Sequence, residues 1–213
     1  VPNAQKAMLQ DCLYSSSLIP DYRKLKQFSM SAPESEDGSE YSPQDILAFL
    51  SESSKGKKLD GPGYFSYSDT DYILAGLVAE KLDNRPLKEI FKTRIFDRAG
   101  MASSYFDTGT DPPANMAHGY TGFGSKGGKV ADRTARNPSR DWAAGAAVST
   151  PRDLLAFTEA IFSSRKLLSE HSHARMVKLI NDYESPENAK GMGMFERISA
   201  RGTFRGAEGS IPG

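Results

Sequence analysis

Residues 61 to 82 read GPGYFSYSDTDYILAGLVAEKL, and this stretch decides how the rest of the chain is read. Gly61, Pro62 and Gly63 end whatever precedes them, because glycine tolerates positive φ and proline fixes φ while donating no backbone hydrogen bond. Asp69 or Thr70 can cap a helix whose apolar residues Ile73, Leu74, Leu77, Val78 and Leu82 recur at steps of three and four, which predicts a buried stripe. Tyr67, Ser68 and Asp69 therefore stand at the entrance of a rigid element. A phenol, a hydroxyl and a carboxylate held there are candidate functional groups, because catalytic side chains need such support. The plain structural alternative is a tyrosine packed at a helix entrance with Ser68 and Asp69 as caps.

Composition narrows the function. Lys plus Arg and Asp plus Glu balance at 27 each in 213 residues, so no field of one sign recruits nucleic acid or an anionic membrane surface. No apolar run reaches the roughly 20 residues of a membrane helix, and the first residues, VPNAQKAMLQ, hold no signal-peptide core. The single cysteine, Cys12, forms no internal disulfide and reads as a small buried apolar residue. The absence of an initiating Met suggests a piece of a longer protein.

Outward from the central stretch, helix signals recur. Asn3 is a plausible cap for a short helix carrying Ala7, Met8, Cys12 and Leu13, ended by the serines at 15 to 17. Residues 29 to 40, SMSAPESEDGSE, read as a polar loop. Ser42, Pro43 and Asp45 give cap, first-turn proline and third-position acid before Ile46, Leu47, Phe49 and Leu50, and a basic connector over 51 to 60 follows. Leu87, Ile90, Phe91 and Ile95 form another helical stripe closed by Gly100. Residues 101 to 141 show no sustained helical period and predict loops and short strands. Small residues from Ala143 to Val148 allow close backbone approach. Thr150, Pro151 and Asp153 repeat the capping pattern, and Ser169 caps a further helix expected to carry Met176, Val177, Leu179 and Ile180. The end, from Gly191 to Ala207, alternates and is broken by glycines, which predicts two strands of a hairpin.

Other motif matches carry less. Gly122, Gly124 and Gly127 satisfy G-x-G-x-x-G, but no apolar strand precedes and no helix follows, so no helix end faces a pyrophosphate. His171 and His173 fall in the first turn of a helix, where residues two apart diverge, and solvated histidines are expected rather than a metal site. His118 has no carboxylate or cysteine near it in sequence and reads as a packed residue. Asp11 and Asp21 could pair only through tertiary contact.

Seven blocks in order, SSSLIPDY, FSYSDTDYILAGLVAEKL, IFDRAGMASSYF, MAHGY, AAGAAVSTPRDLLAF, GMGMFE and GAEGSIPG, together resemble the serine β-lactamase-like family of class C β-lactamases, penicillin-binding D,D-peptidases and related esterases. The resemblance implies an α+β fold. Residues 1–190 would form mainly the helical and loop lobe, and 191–213 would supply a strand pair, a C-terminal β-hairpin from the antiparallel sheet. It implies a serine acyl hydrolase acting through an acyl-serine intermediate, without cofactor or metal, on a small-molecule or peptide substrate, in a periplasmic or secreted setting.

By resemblance, Tyr67 matches the cleft tyrosine of the family's Y-S/A-N triplet, Ser68 its neighbour, and Asp69 stands where Asn is usual. Ala207, Glu208 and Gly209 match the K-T-G or H-x-G strand, with Ala207 in place of the Lys or His, and Ser210 would give the second oxyanion-hole N–H. A serine hydroxyl needs an adjacent base and N–H donors aimed at the developing oxyanion. A phenol, with a reference pKa of about 10, becomes a base only beside cations.

The family's S-x-x-K segment lies upstream of the block matched by SSSLIPDY, which only fourteen residues precede here, so the nucleophile's helix is expected outside this chain. The strings Ser54 to Lys57 and Ser163 to Lys166 lie in a polar connector and at a helix end, unlike a buried nucleophile helix. The chain alone is thus expected to be inactive, its partners being the missing N- and C-terminal segments of the same fold. Its hairpin, short of strand neighbours, is expected to promote association. Two other readings stay open: a non-catalytic relative that keeps the cleft for binding or scaffolding, and an unrelated helical interaction domain with no cleft at Tyr67.

Overall fold

The computed structural model describes residues 1, 3–28, 40–54, 63–107, 109, 115–122, 130–134, 137–181 and 188–210. The helical part runs α1 (Leu9–Leu13), α2 (Pro43–Ser53), α3 (Asp69–Asp83), α4 (Leu87–Ile90) and α5 (Asp97–Ala99), then α6 (Pro151–Thr158) and α7 (Glu170–Met176). A π-helical segment, Phe91–Phe96, joins α4 to α5, and another, Glu159–Ser163, extends α6. Two small antiparallel pairs lie between: β1 (Tyr105–Phe106) with β4 (Ala147–Val148), and β2 (Tyr120–Thr121) with β3 (Ala131–Asp132). A four-stranded antiparallel meander closes the described chain in the order β5 (Ile180–Asn181), β6 (Asn188–Gly191), β7 (Met194–Ser199), β8 (Gly202–Gly206). The architecture is the expected α+β arrangement, and the terminal hairpin, β7 with β8, continues into β6 and β5.

The local capping signals form the expected bonds. Asp45 N–H donates to Ser42 Oγ at 3.1 Å while Ser42 N–H donates back to Asp45 Oδ2 at 2.9 Å, closing a box at the start of α2. Thr150 Oγ1 accepts from Asp153 N–H at 3.3 Å, and Ser169 Oγ from Ser172 N–H at 3.2 Å. Gly100 ends α5 at φ +74°, the left-handed conformation that glycine adopts without strain. Asp11 and Asp21 do not pair with each other: Asp11 Oδ2 accepts from Met8 N–H at α1, and Asp21 Oδ1 from Arg23 N–H at the next turn.

Several expectations need correction. Asn3 does not cap α1; it lies in a preceding turn and its amide donates to Leu18 O. Ser68, not Asp69 or Thr70, is the residue before the first turn of α3, and its side chain makes no cap bond. The stripe of α3 is narrower than its period predicts: Ile73 is fully buried, whereas Val78 is 37% and Leu82 81% exposed. The face that packs runs through Thr70, Ile73, Gly76 and Leu77. α2 extends through Ser53, into the stretch expected to be a connector. α7 stops at Met176, and Ile180 belongs to β5, whose partner is Lys190. Residues 29 to 39, 55 to 60 and Gly124 and Gly127 lie outside the described residues.

Three clusters make the core. Tyr22, Phe28, Ile46 and Ile73 form the first, extended by the partly buried Tyr41, Leu77 and Trp142. Leu87, Ile90, Phe106 and Ala146 form the second, and Trp142 packs against this one too, so a single indole joins both. Cys12, Ile19 and Leu50 form the third. Fully burying a side chain such as Ile73 contributes about 1.5–3 kcal/mol. The small-residue run after Trp142 allows this packing: a Cβ at Gly76 would lie 2.6 Å from Ala143 Cβ and 2.7 Å from the Trp142 ring. The meander docks on the helices through its β6–β7 turn, where Gly193 N–H donates to Leu13 O at 2.9 Å and Met192 N–H to Met176 O at 3.0 Å. Tyr14 Oη adds a bond to Lys178 O at 2.8 Å.

Candidate active site

The first turn of α3 is fastened to residues 15–22 by side chains that a regular cap would have used otherwise. Thr70 Oγ1 donates to Pro20 O at 2.8 Å and accepts from Tyr22 N–H at 3.0 Å. Ser17 Oγ, buried, donates to Asp71 Oδ1 at 2.5 Å. The strip leading into α3 is held by backbone bonds from Gly63 N–H to Ser16 O and Ser66 N–H to Ser15 O, at 3.0 and 2.7 Å. Every polar group of this turn faces inward except one. Tyr67, the residue before the cap, is 51% exposed.

That phenol lines a cavity of about 400 Å³ between the helices and the meander. Phe65, Tyr72 and Trp142 form its helical wall, Met194 and Phe195 its strand wall, and Ala207 and Glu208 follow β8 into the same space. The Tyr67 and Tyr72 ring centroids are 6.4 Å apart. Tyr67 Oη donates to Asp69 Oδ1 at 2.7 Å, and Asp69 Oδ2 lies 2.6 Å from Arg23 Nε, an ion pair without hydrogen-bond alignment. Arg23 continues to Asp141, whose side chain is 1% exposed. A chain of polar contacts thus runs inward from the half-exposed Tyr67 through Asp69 and Arg23 to the buried Asp141.

Its electrostatics keep the phenol protonated. Burial, then the hydrogen bond to Asp69 and that carboxylate's charge, push the Tyr67 phenol well above its ordinary range. Burial also raises the Asp69 carboxyl, against the pull of the Tyr67 bond and Arg23. Behind them burial raises Asp71 to about 6 and Cys12 to about 12, the latter helped by Asp71. Cys12 is therefore a buried, protonated thiol with no nucleophilic character.

Of the residues singled out from sequence, Tyr67, Ala207 and Glu208 share the cavity. Ser68 is 1% exposed, inside the wall, and its hydroxyl has no hydrogen-bond partner among the described residues. Asp69 lies behind Tyr67. Gly209 and Ser210 are exposed beyond β8 and do not line the cavity. Ser163 and Lys166 lie at the end of the α6 extension, away from the lining, and Lys57 is outside the described residues. His118, expected to be packed, is 60% exposed at the side chain and pairs with Asp132 Oδ2 at 2.8 Å across the β2–β3 pair. No cluster of His, Cys, Asp and Glu among the described residues could hold a metal ion, and no helix among them is long and apolar enough to cross a membrane.

Sequence reading missed Arg23, Asp141 and Lys190. Arg23 and Asp141 are 118 residues apart, so no local spacing could have joined them. Lys190 lines the cavity from β6, and its ammonium lies 4.7 Å from the Phe65 ring centroid. Its signal, one lysine among alternating residues, resembles any exposed strand position.

Known proteins share this architecture. The β-lactamase family model matches residues 24–197. The D-stereospecific amidohydrolase from Streptomyces sp. superposes with a TM-score of 0.85 at 25% identity, over 98% of this chain and 62% of that one. The D-amino acid amidase from Ochrobactrum anthropi SV3, solved with D-phenylalanine, gives 0.82 at 26% identity, over 100% of this chain and 61% of that one. A penicillin-binding protein from Bacillus halodurans shares the fold, with a TM-score of 0.74 at 21% identity over 95% and 62% of the two chains. The chain thus spans less than two thirds of the length of these solved structures.

Proposed function

Because this chain belongs to the β-lactamase family, we propose that it carries the helical lobe and cleft tyrosine of a serine acyl hydrolase acting on D-amino-acid amides or peptides. The observation that carries this reading is the half-exposed Tyr67 phenol, set on a rigid helix start, lining one cavity with Ala207 and Glu208. The substrate class is suggested by the names of the amidohydrolase and amidase it resembles.

In the proposed reaction Tyr67 first releases its own proton to solvent, and the resulting phenolate takes the proton of a serine hydroxyl as that hydroxyl attacks the acyl carbon; the same proton later passes from the phenol to the departing amine. Glu208 forms the strand side of the substrate channel, Ser68 and Asp69 support Tyr67 from behind, and Ser210 N–H, exposed with Gly209 just past the lining, serves the oxyanion of a substrate that extends beyond the cavity. No serine and lysine three residues apart line the cavity among the described residues. In this reading the nucleophile and its ammonium belong to the family's S-x-x-K segment. That ammonium also acts on the phenol. Asp69 holds the phenol's proton at 2.7 Å, and only a cation near Tyr67 makes the phenol an acceptor.

A second reading, a non-catalytic binding protein, is favoured by the same hydrogen bond and by Ala207, which offers no polar head. Mass spectrometry separates the two. A polypeptide carrying these residues together with an upstream S-x-x-K segment should gain one acyl group on incubation with a D-phenylalanine ester, and the 213-residue chain should not. Failure of the longer polypeptide to acylate would favour the binder.

A further inference from the structure

Among the described residues that line the cavity beside Tyr67, one is basic, Lys190, and one is acidic, Glu208. These two are not each other's partner. Glu208 Oε1 pairs with Arg197 at 3.0 Å, on the neighbouring strand, so its charge is already compensated. Lys190 instead rests its ammonium over the face of Phe65 at 4.7 Å, an attraction that places the charge without neutralising it.

Register explains why Lys190 points there. Lys190 on β6 is opposite Phe195 on β7, and Phe195 is opposite Gly206 on β8, so the three form one row across the sheet. Residues directly opposite in antiparallel strands share a face, and both side chains of this row reach the cavity. Adjacent strands are about 4.8 Å apart, which puts the Lys190 backbone roughly 10 Å from that of Gly206, next to Ala207. A lysine stem is long and flexible enough to bring an ammonium back across part of that gap. Ala207 itself contributes only a methyl group. Phe65, Tyr72, Trp142 and Phe195 give the cavity aromatic walls, and a charge pair made against such low-polarity surface is stronger than one in bulk water.

We propose that Lys190 is the carboxylate-recognising residue of this cavity, supplying from β6 the cation that position 207 lacks. The inference rests on the acyl-site reading above and narrows its substrate class from amides and peptides to peptides: the preferred ligand carries a free terminal carboxylate beside an aromatic or apolar D-side chain. A neutral amide of the same acid lacks the group that Lys190 pairs with.

Trp142 is the only tryptophan in the chain and lines this cavity, so its emission reports binding directly. The 213-residue chain is titrated with N-acetyl-D-phenylalanine and with N-acetyl-D-phenylalanine amide. Charge-assisted pairing predicts about tenfold tighter binding of the carboxylate, weakening with added salt. Lys190→Gln should collapse the ratio of the two affinities to about one, and Lys190→Arg should preserve it. A ratio near one in the unsubstituted chain, or one that survives Lys190→Gln, overturns the role of Lys190 while leaving the acyl site standing. If neither ligand alters Trp142 emission, both readings fall.

Discussion

Tyr67 Oη donates a 2.7 Å hydrogen bond to Asp69 Oδ1, two residues further along, at the first residue of α3. The phenol's proton is therefore engaged by an anion. Replacing Asp69 with Asn removes that charge, and Tyr67 should then titrate at lower pH than in the parent chain. Ultraviolet difference titration, with Tyr67→Phe identifying the signal, measures this. An unchanged titration would mean that Asp69 does not control the phenol.

Arg23 bridges Asp69 and Asp141, and both carboxylates are buried with it. Removing one member of a buried ionic group strands the others, at a cost of about 3–5 kcal/mol. Arg23→Met should lower the urea midpoint accordingly. Arg23→Lys should recover only part of it, because one ammonium lacks the fork that spans two carboxylates. A loss below about 1 kcal/mol in Arg23→Met, the range of exposed pairs, would contradict the buried network.

Gly76 is where α3 meets Trp142. Gly76→Ala would set a Cβ 2.6 Å from Ala143 Cβ and 2.7 Å from the indole, so the small-residue segment must shift. Overpacking of this kind costs about 1–3 kcal/mol. Thermal melting should show the loss and Trp142 emission should change with it; retention of both would show that the contact yields freely.

Asp71 gives a pH signature. Burial raises its carboxyl to about 6, above the unfolded value of about 3.9. The folded state then binds the proton more tightly, so this stabilisation is complete below about pH 4 and is lost as pH rises through about 6. Asp71→Asn should flatten the fall of Tm across that window and melt higher than the parent at neutral pH. A parallel pair of Tm profiles would show that Asp71 ionises without cost.

Legibility in the sequence follows the range of the interaction. The box at Ser42 and the caps at Thr150 and Ser169 are readable because donor and acceptor sit three residues apart. The overall α+β order is readable from the same punctuation and from the seven family-like blocks. Spacing alone overextends α7, because Val177, Leu179 and Ile180 satisfy a helical period over a few residues while their fate is decided by pairing of Ile180 with Lys190. Val78 and Leu82 are overcounted because a period gives a face but not its width. His118 finds Asp132 fourteen residues away across a strand pair, and Tyr22 Oη finds Arg140 O 118 residues away. Neither leaves a trace in local spacing, and the same holds for the Arg23 network and for Lys190.

The central claim of the proposed reaction is that Tyr67 works on a reacting hydroxyl. Turnover of D-phenylalanine p-nitroanilide by a polypeptide that joins these residues to the family's S-x-x-K segment tests it most directly. General acid–base participation predicts that Tyr67→Phe lowers kcat by about 10²–10⁴-fold with little change in KM. Wild-type kcat in Tyr67→Phe would contradict it.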